Sequence, residues 1–139
     1  MFRKQNADLM IIMSKGGYGK TTILNNVMKG TDYVYINTHS TVLKTYLTLW
    51  ERRDAPVVFD DVDSIFRNQT FVSLLKALTN TSEIKEVCYN TTSKLIGNAP
   101  ERFTTTSNVC ILLNEFDVHN KMLAPLLDRA FYIEFIPSN

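Results

Sequence analysis

The segment Ser14-Lys15-Gly16-Gly17-Tyr18-Gly19-Lys20-Thr21-Thr22 follows an apolar run ending at Met13 and precedes an amphipathic stretch. Lacking side chains, Gly16, Gly17 and Gly19 let the chain turn tightly and aim successive backbone N–H groups at an anion, beside a helix N-terminus with positive partial charge. Lys20 then supplies a point charge to the β- and γ-phosphates of a nucleotide, and the Thr21 hydroxyl a hard oxygen for Mg²⁺. The phosphate-loop pattern G-x-x-x-x-G-K-[ST] asks for glycine where Ser14 stands. The plainer alternative is a glycine-rich turn with a solvated lysine, but the position between a strand and a helix is the context the mechanism requires. A second constellation, Pro56-Val57-Val58-Phe59-Asp60-Asp61, ends an apolar strand in two carboxylates. Asp60 would serve the Mg²⁺ shell, directly or through water. Asp61 would orient or deprotonate an attacking water. Alone, the pair would read as an acidic helix cap.

These groups need a frame. Five apolar runs read as strands: Asp8–Met13, Tyr33–Asn37, Val57–Asp60, Val109–Asn114 and Phe131–Phe135. Their continuous apolar character suits strands covered on both faces, which implies a parallel sheet between helices. Helical stripes alternate with them, at Ile23, Leu24, Val27 and Met28, at Leu43, Tyr46, Leu47 and Trp50, at Phe71, Leu74, Leu75 and Leu78, and at Met122, Leu123, Leu126 and Leu127. Gly30 with Thr31-Asp32 is expected to end the first helix. The segment from Thr79 to Thr106 breaks the alternation. Rich in Thr, Asn and Ser, it reads as a hairpin or long loop projecting from the sheet, with Val87-Cys88-Tyr89 as one weak strand and Lys94-Leu95-Ile96-Gly97 as its return.

At 139 residues the chain, 1–139, is expected to be a single domain. Its 15 Lys and Arg balance 14 Asp and Glu, so any affinity for nucleic acid must be local rather than global. No apolar run is long enough to cross a bilayer and no secretory leader is visible, so a cytoplasmic location is expected. Cys88 and Cys110 stand apart, without metal-ligand spacing, and read as free thiols. His39 and His119 read as polar loop residues.

With both constellations in view, the chain resembles the AAA+ ATPases, including the related viral superfamily 3 helicases, from about Leu9 to Phe135. Ser14 to Thr22 looks like Walker A and Val57 to Asp61 like Walker B. Val109-Cys110-Ile111-Leu112-Leu113-Asn114-Glu115 is similar to the strand that ends in the sensor 1 polar residue, and Leu126-Leu127-Asp128-Arg129-Ala130-Phe131-Tyr132-Ile133 to the segment carrying an arginine finger. The resemblance implies a three-layer αβα P-loop NTPase of the α/β class with a five-stranded, mostly parallel sheet in the order 5-1-4-3-2. It implies ATP and Mg²⁺ as cofactors, Asn114 near the γ-phosphate between the two Walker strands, and Arg129 aimed at the nucleotide of a neighbouring copy in a homo-oligomeric ring, a hexamer among the sizes open. Asp61 stands where most of the family has glutamate, and the sequence ends just past the fifth strand, without the helical lid.

Lys15 with Gly16 to Thr22 also matches the deviant Walker A of partition-type dimeric ATPases, although the acidic motif those proteins carry after the second strand is replaced here by Tyr35-Ile36-Asn37-Thr38-His39-Ser40. The expected function is therefore an ATP-hydrolysing motor core in viral or plasmid-type DNA replication or handling. Lys85 and Lys94 occupy the region where the helicases place a DNA-gripping lysine, and single-stranded or duplex DNA is the expected partner. Tyr89 in the same segment leaves open a polypeptide-remodelling motor. A nucleotide-dependent assembly switch with slow hydrolysis is the alternative outside enzymology.

Overall fold

The computed structural model describes residues 9–14, 20–37, 40–60, 68–80, 82–90, 96–114 and 131–135. Along the chain these form β1 (Leu9–Ser14), α1 (Lys20–Val27), β2 (Val34–Ile36), α2 (Val42–Glu51), β3 (Val57–Asp60), α3 (Gln69–Leu78), β4 (Lys85–Cys88), β5 (Arg102–Thr105), β6 (Val109–Asn114) and β7 (Phe131–Phe135). The molecule is α/β, with a mostly parallel large sheet and a small antiparallel one. In the large sheet the neighbours run β2-β3-β6-β1-β7, every adjacent pair parallel.

Parallel strands need crossovers, and the helices supply them on both faces of the sheet. Side chains alternate across a strand, so Leu9, Ile11, Val57, Phe59, Val109 and Ile111 share one buried face with α2 and α3. Met10, Ile12, Val58, Cys110 and Leu112 share the other with Leu24 of α1 and Met28 just beyond it. Strands β1 and β6 are thus buried on both sides over their described side chains, which is why their sequences are unbroken apolar runs. Burial pushes the Cys110 thiol up to about 12, leaving it an inert apolar filler, while Cys88 is exposed.

Local signals set the helix ends. Thr41 caps α2, its hydroxyl accepting from the Lys44 N–H at 3.1 Å, and Asn68 caps α3 by accepting from Thr70 and Phe71 N–H at 2.9 and 3.2 Å. Beyond α1 the chain turns through Gly30 at φ 76°, a left-handed conformation that suits glycine. The buried stripe of α2 is rotated from the expected one. Thr45, Tyr46 and Leu49 are buried while Leu43, Leu47 and Trp50 are only half-buried, and the Tyr46 and Trp50 rings pack against Phe103 of the small sheet.

The segment from Thr79 to Thr106 forms an antiparallel strand pair, as the hairpin reading expected, but its described strands pack on the core rather than project from the sheet. Its strands β4 and β5 pair antiparallel in the register Lys85↔Thr105 and Val87↔Phe103, and the inward residues of both are buried. The return strand is Arg102–Thr105, not Lys94–Gly97; Ile96 packs against the core, and Lys94 lies outside the described residues. Phe103 meets Tyr46 at 5.3 Å and Trp50 at 5.7 Å between ring centroids, and the Tyr46 ring also packs 5.2 Å from Tyr89. Two expectations change with this layer. Lys85 is 1% exposed and its ammonium donates to the Ser107 carbonyl, so it is not a surface contact for DNA. Tyr89 is half-buried against α2 and belongs to the packing rather than to a pore loop.

Candidate functional site

Every strand of a parallel sheet ends at the same edge, and here that edge collects the residues with chemistry. Ser14 closes β1, and its register partners are Asn114, the last residue of β6, and Phe135, the last of β7. Asp60 closes β3 opposite Leu112, two residues short of Asn114. Because β6 lies between β1 and β3, the ends of those strands stand about 12 Å apart, two strand spacings across and two residues along. Lys20 is the first residue of α1, and Thr21 and Thr22 follow in its first turn. Chain leaving β1 at the carboxyl edge returns through α1 toward the start of β2, so the N-terminus of α1 and its positive partial charge belong to this edge.

The structure therefore brings together the positions of Ser14, Lys20, Thr21, Thr22, Asp60 and Asn114. Lys15, Gly16, Gly17, Tyr18, Gly19, Asp61 and Arg129 lie outside the described residues, as do His39 and His119.

Asp60 is half-buried and lies on the same face of the sheet as Val58. Its Oδ2 accepts a hydrogen bond from the Tyr35 hydroxyl of β2. Tyr35 is level with Val58, so the ring leans two residues along the strand direction to reach the carboxylate. Sequence reasoning missed this residue. The signal was present in the alternation of Tyr33 and Tyr35 with Val34 and Ile36, which puts both aromatics on the face that Asp60 shares, but only the register of β2 on β3 turns it into a contact.

An ionised carboxylate has about four lone-pair positions, and the Tyr35 bond occupies one. Asp60 is thus suited to a hard cation such as Mg²⁺, which is held by one or two carboxylates with waters and phosphate oxygens. Among the described residues no three His, Cys, Asp or Glu side chains cluster as a self-contained metal site. No described helix is long and apolar enough to cross a membrane.

No protein-family model matches the chain. It is similar to an "Uncharacterized 36.7 kDa protein in nrdC-mobD intergenic region" of Enterobacteria phage T4, 28% identical over 147 residues. That match takes in 93% of this chain and 45% of the phage protein, so the chain spans less than half of the relative's length.

Proposed function

We propose that the chain is the nucleotide-binding core of an ATPase of the AAA+ type, a three-layer P-loop NTPase that works as a ring. The observation that carries the reading is what stands at the carboxyl edge: Ser14 beside Asn114, Asp60 one strand further on, and Lys20 opening the next helix. The sheet order supports it. Counting only the strands of the large sheet, β7-β1-β6-β3-β2 reads 5-1-4-3-2.

In this reading the N–H groups of residues 15–19 and the N-terminus of α1 hold the phosphates, and Lys20 balances their charge. When bound, Mg²⁺ neutralises charge on the β- and γ-oxygens; Thr21 and Asp60 are the residues that would hold it. Asp61 takes the proton of the water that attacks the γ-phosphorus as the bond to the bridging oxygen breaks and ADP leaves. Asn114 orients that water. Arg129 of a neighbouring copy stabilises charge on the γ-phosphoryl oxygens. With Lys85 buried, a DNA contact from this segment would fall to Lys94, and the phage source of the relative is in keeping with a viral DNA-handling role.

Binding of a fluorescent ADP with Mg²⁺, measured for the parent and for Lys20→Ala, tests the reading. The variant should bind about a hundredfold more weakly, the scale of one or two charge-assisted hydrogen bonds, and melt at the parental temperature. A parent that binds neither ADP nor ATP would end the nucleotide reading.

A further inference from the structure

We propose that Tyr35 is a positioning residue for Asp60, holding its carboxylate in the orientation that receives Mg²⁺; this rests on the nucleotide reading of the same edge.

Burial sets Tyr35 apart from its neighbours in β2. In the three residues of β2, Val34 and Ile36 are 3% and 2% exposed and anchor the strand, whereas Tyr35 between them is 49% exposed. An aromatic ring half in water at a sheet edge contributes little burial. Its hydroxyl, however, reaches a carboxylate 25 residues away in sequence, at the end of the adjacent strand.

Asp60 is the last residue of β3, so the ladder of β3 on β6 fixes its backbone but not its side-chain torsions. A phenol donor on Oδ2 fixes them. The Tyr ring has only two torsions to order, and one of its edges is already against the sheet, so the cost of presenting the donor is small. The chemistry also fits the position. A donor to one lone pair of a metal-binding carboxylate sets which lone pairs remain for the cation, and loss of such outer partners typically weakens metal binding tenfold to a hundredfold. Asp60 ends β3, the position that the nucleotide reading gives to the Mg²⁺ shell.

The experiment uses the full chain and four proteins: parent, Tyr35→Phe, Asp60→Asn and the double variant. ADP affinity is measured in EDTA, Mn²⁺ affinity of the ADP complex by paramagnetic resonance, and folding by thermal melting. Tyr35→Phe keeps the ring and removes the donor. It should weaken Mn²⁺ binding roughly tenfold to a hundredfold while metal-free ADP affinity and melting stay parental. In the Asp60→Asn background the same change should add nothing, since its effect runs through that carboxylate. Parental Mn²⁺ affinity in Tyr35→Phe, with the parent binding Mn²⁺ and ADP normally, overturns the positioning role and leaves the nucleotide reading intact. Equal losses of metal-free ADP affinity or of melting temperature also overturn it, by showing that Tyr35 serves the nucleotide or the fold. A parent that binds no ADP removes both.

Discussion

At the carboxyl edge of the large sheet, Asp60 is held, among the described residues, by a phenol donated from the neighbouring strand. On one covered face of the same sheet, the β4–β5 layer is tied down at many points. Tyr46 donates to the Pro100 carbonyl at 2.6 Å, Lys85 donates to Ser107, and Thr105 and Ser107 share a 2.9 Å hydroxyl contact. Asp54, in the turn after α2, accepts from the Thr106 N–H at 2.8 Å and the Thr106 hydroxyl at 3.0 Å. Both regions are rich in polar residues, and polarity alone does not tell them apart. In the small-sheet layer the polar groups are spent on one another, most of these ties spanning 22 to 54 residues of sequence and the Thr105–Ser107 contact only two. At the edge, the Tyr35 bond takes up a single lone pair of the Asp60 carboxylate, and the proposed cation would use others.

The comparison breaks first, and by the largest effect, if the edge does not matter to turnover. Arg129→Ala should lower ATP hydrolysis on the order of a thousandfold with ATP affinity nearly parental, the scale of an arginine finger. Asp61→Asn should bind nucleotide and fail to turn it over. Neither should shift the melting temperature, because a residue committed to substrate contributes little to the fold. Mixtures of the two variants should regain activity, since some interfaces then hold both intact groups. Confirmed co-assembly without any regained turnover would remove Arg129 from the neighbouring active site.

The small-sheet layer should behave in the opposite way. Lys85→Ala removes a buried stem and leaves the Ser107 carbonyl without its charged donor, so it should destabilise by about 3 kcal/mol. Lys85→Met keeps most of the volume and should cost less. Urea unfolding checks both. A Lys85→Ala protein of parental stability would mean that the residue is not committed to the fold.

What the sequence disclosed follows the same division. The bounds of β3, β6 and β7 coincide with the apolar runs read from the chain, and β1 differs by one residue at each end; in β1, β3 and β6, burial of the described side chains on both faces writes that signal locally. The small sheet left a weaker one: Val87-Cys88, read as part of a strand, lies in β4, but the position of the return strand was not legible. Lys85-Glu86-Val87-Cys88 carries one strongly apolar residue, and whether Lys85 faces inward depends on a carbonyl 22 residues away. The partners of α2 were hidden in the same way, since Tyr46 and Trp50 pack on Phe103, more than fifty residues along the chain. At the edge, the order of Ser14, Lys20, Asp60 and Asn114 along the chain was readable. Tyr35 was not, because its reach to Asp60 exists only in the register of two strands.

The smallest effect sharpens the comparison through pH. Asp54 sits at φ 72°, in the left-handed region, and its carboxylate is held below its ordinary value of 3.8, first by the Thr106 backbone N–H and then by the Thr106 hydroxyl. A carboxylate lowered on folding contributes stability that is complete above its unfolded value and is lost as pH falls through the folded one. Asp54 is exposed, so solvent screens the contribution to a few tenths of a kcal/mol. Asn tolerates left-handed backbone and its amide oxygen can still accept from Thr106, so Asp54→Asn should unfold near the parental urea midpoint at pH 7. On acidification from pH 5 to pH 3, the parent should lose slightly more stability than the variant, because only the parent has this carboxylate to protonate. Parallel acid profiles for the two proteins would show that Asp54 holds the β5 end by shape alone and that the layer's ties owe nothing to charge at this point.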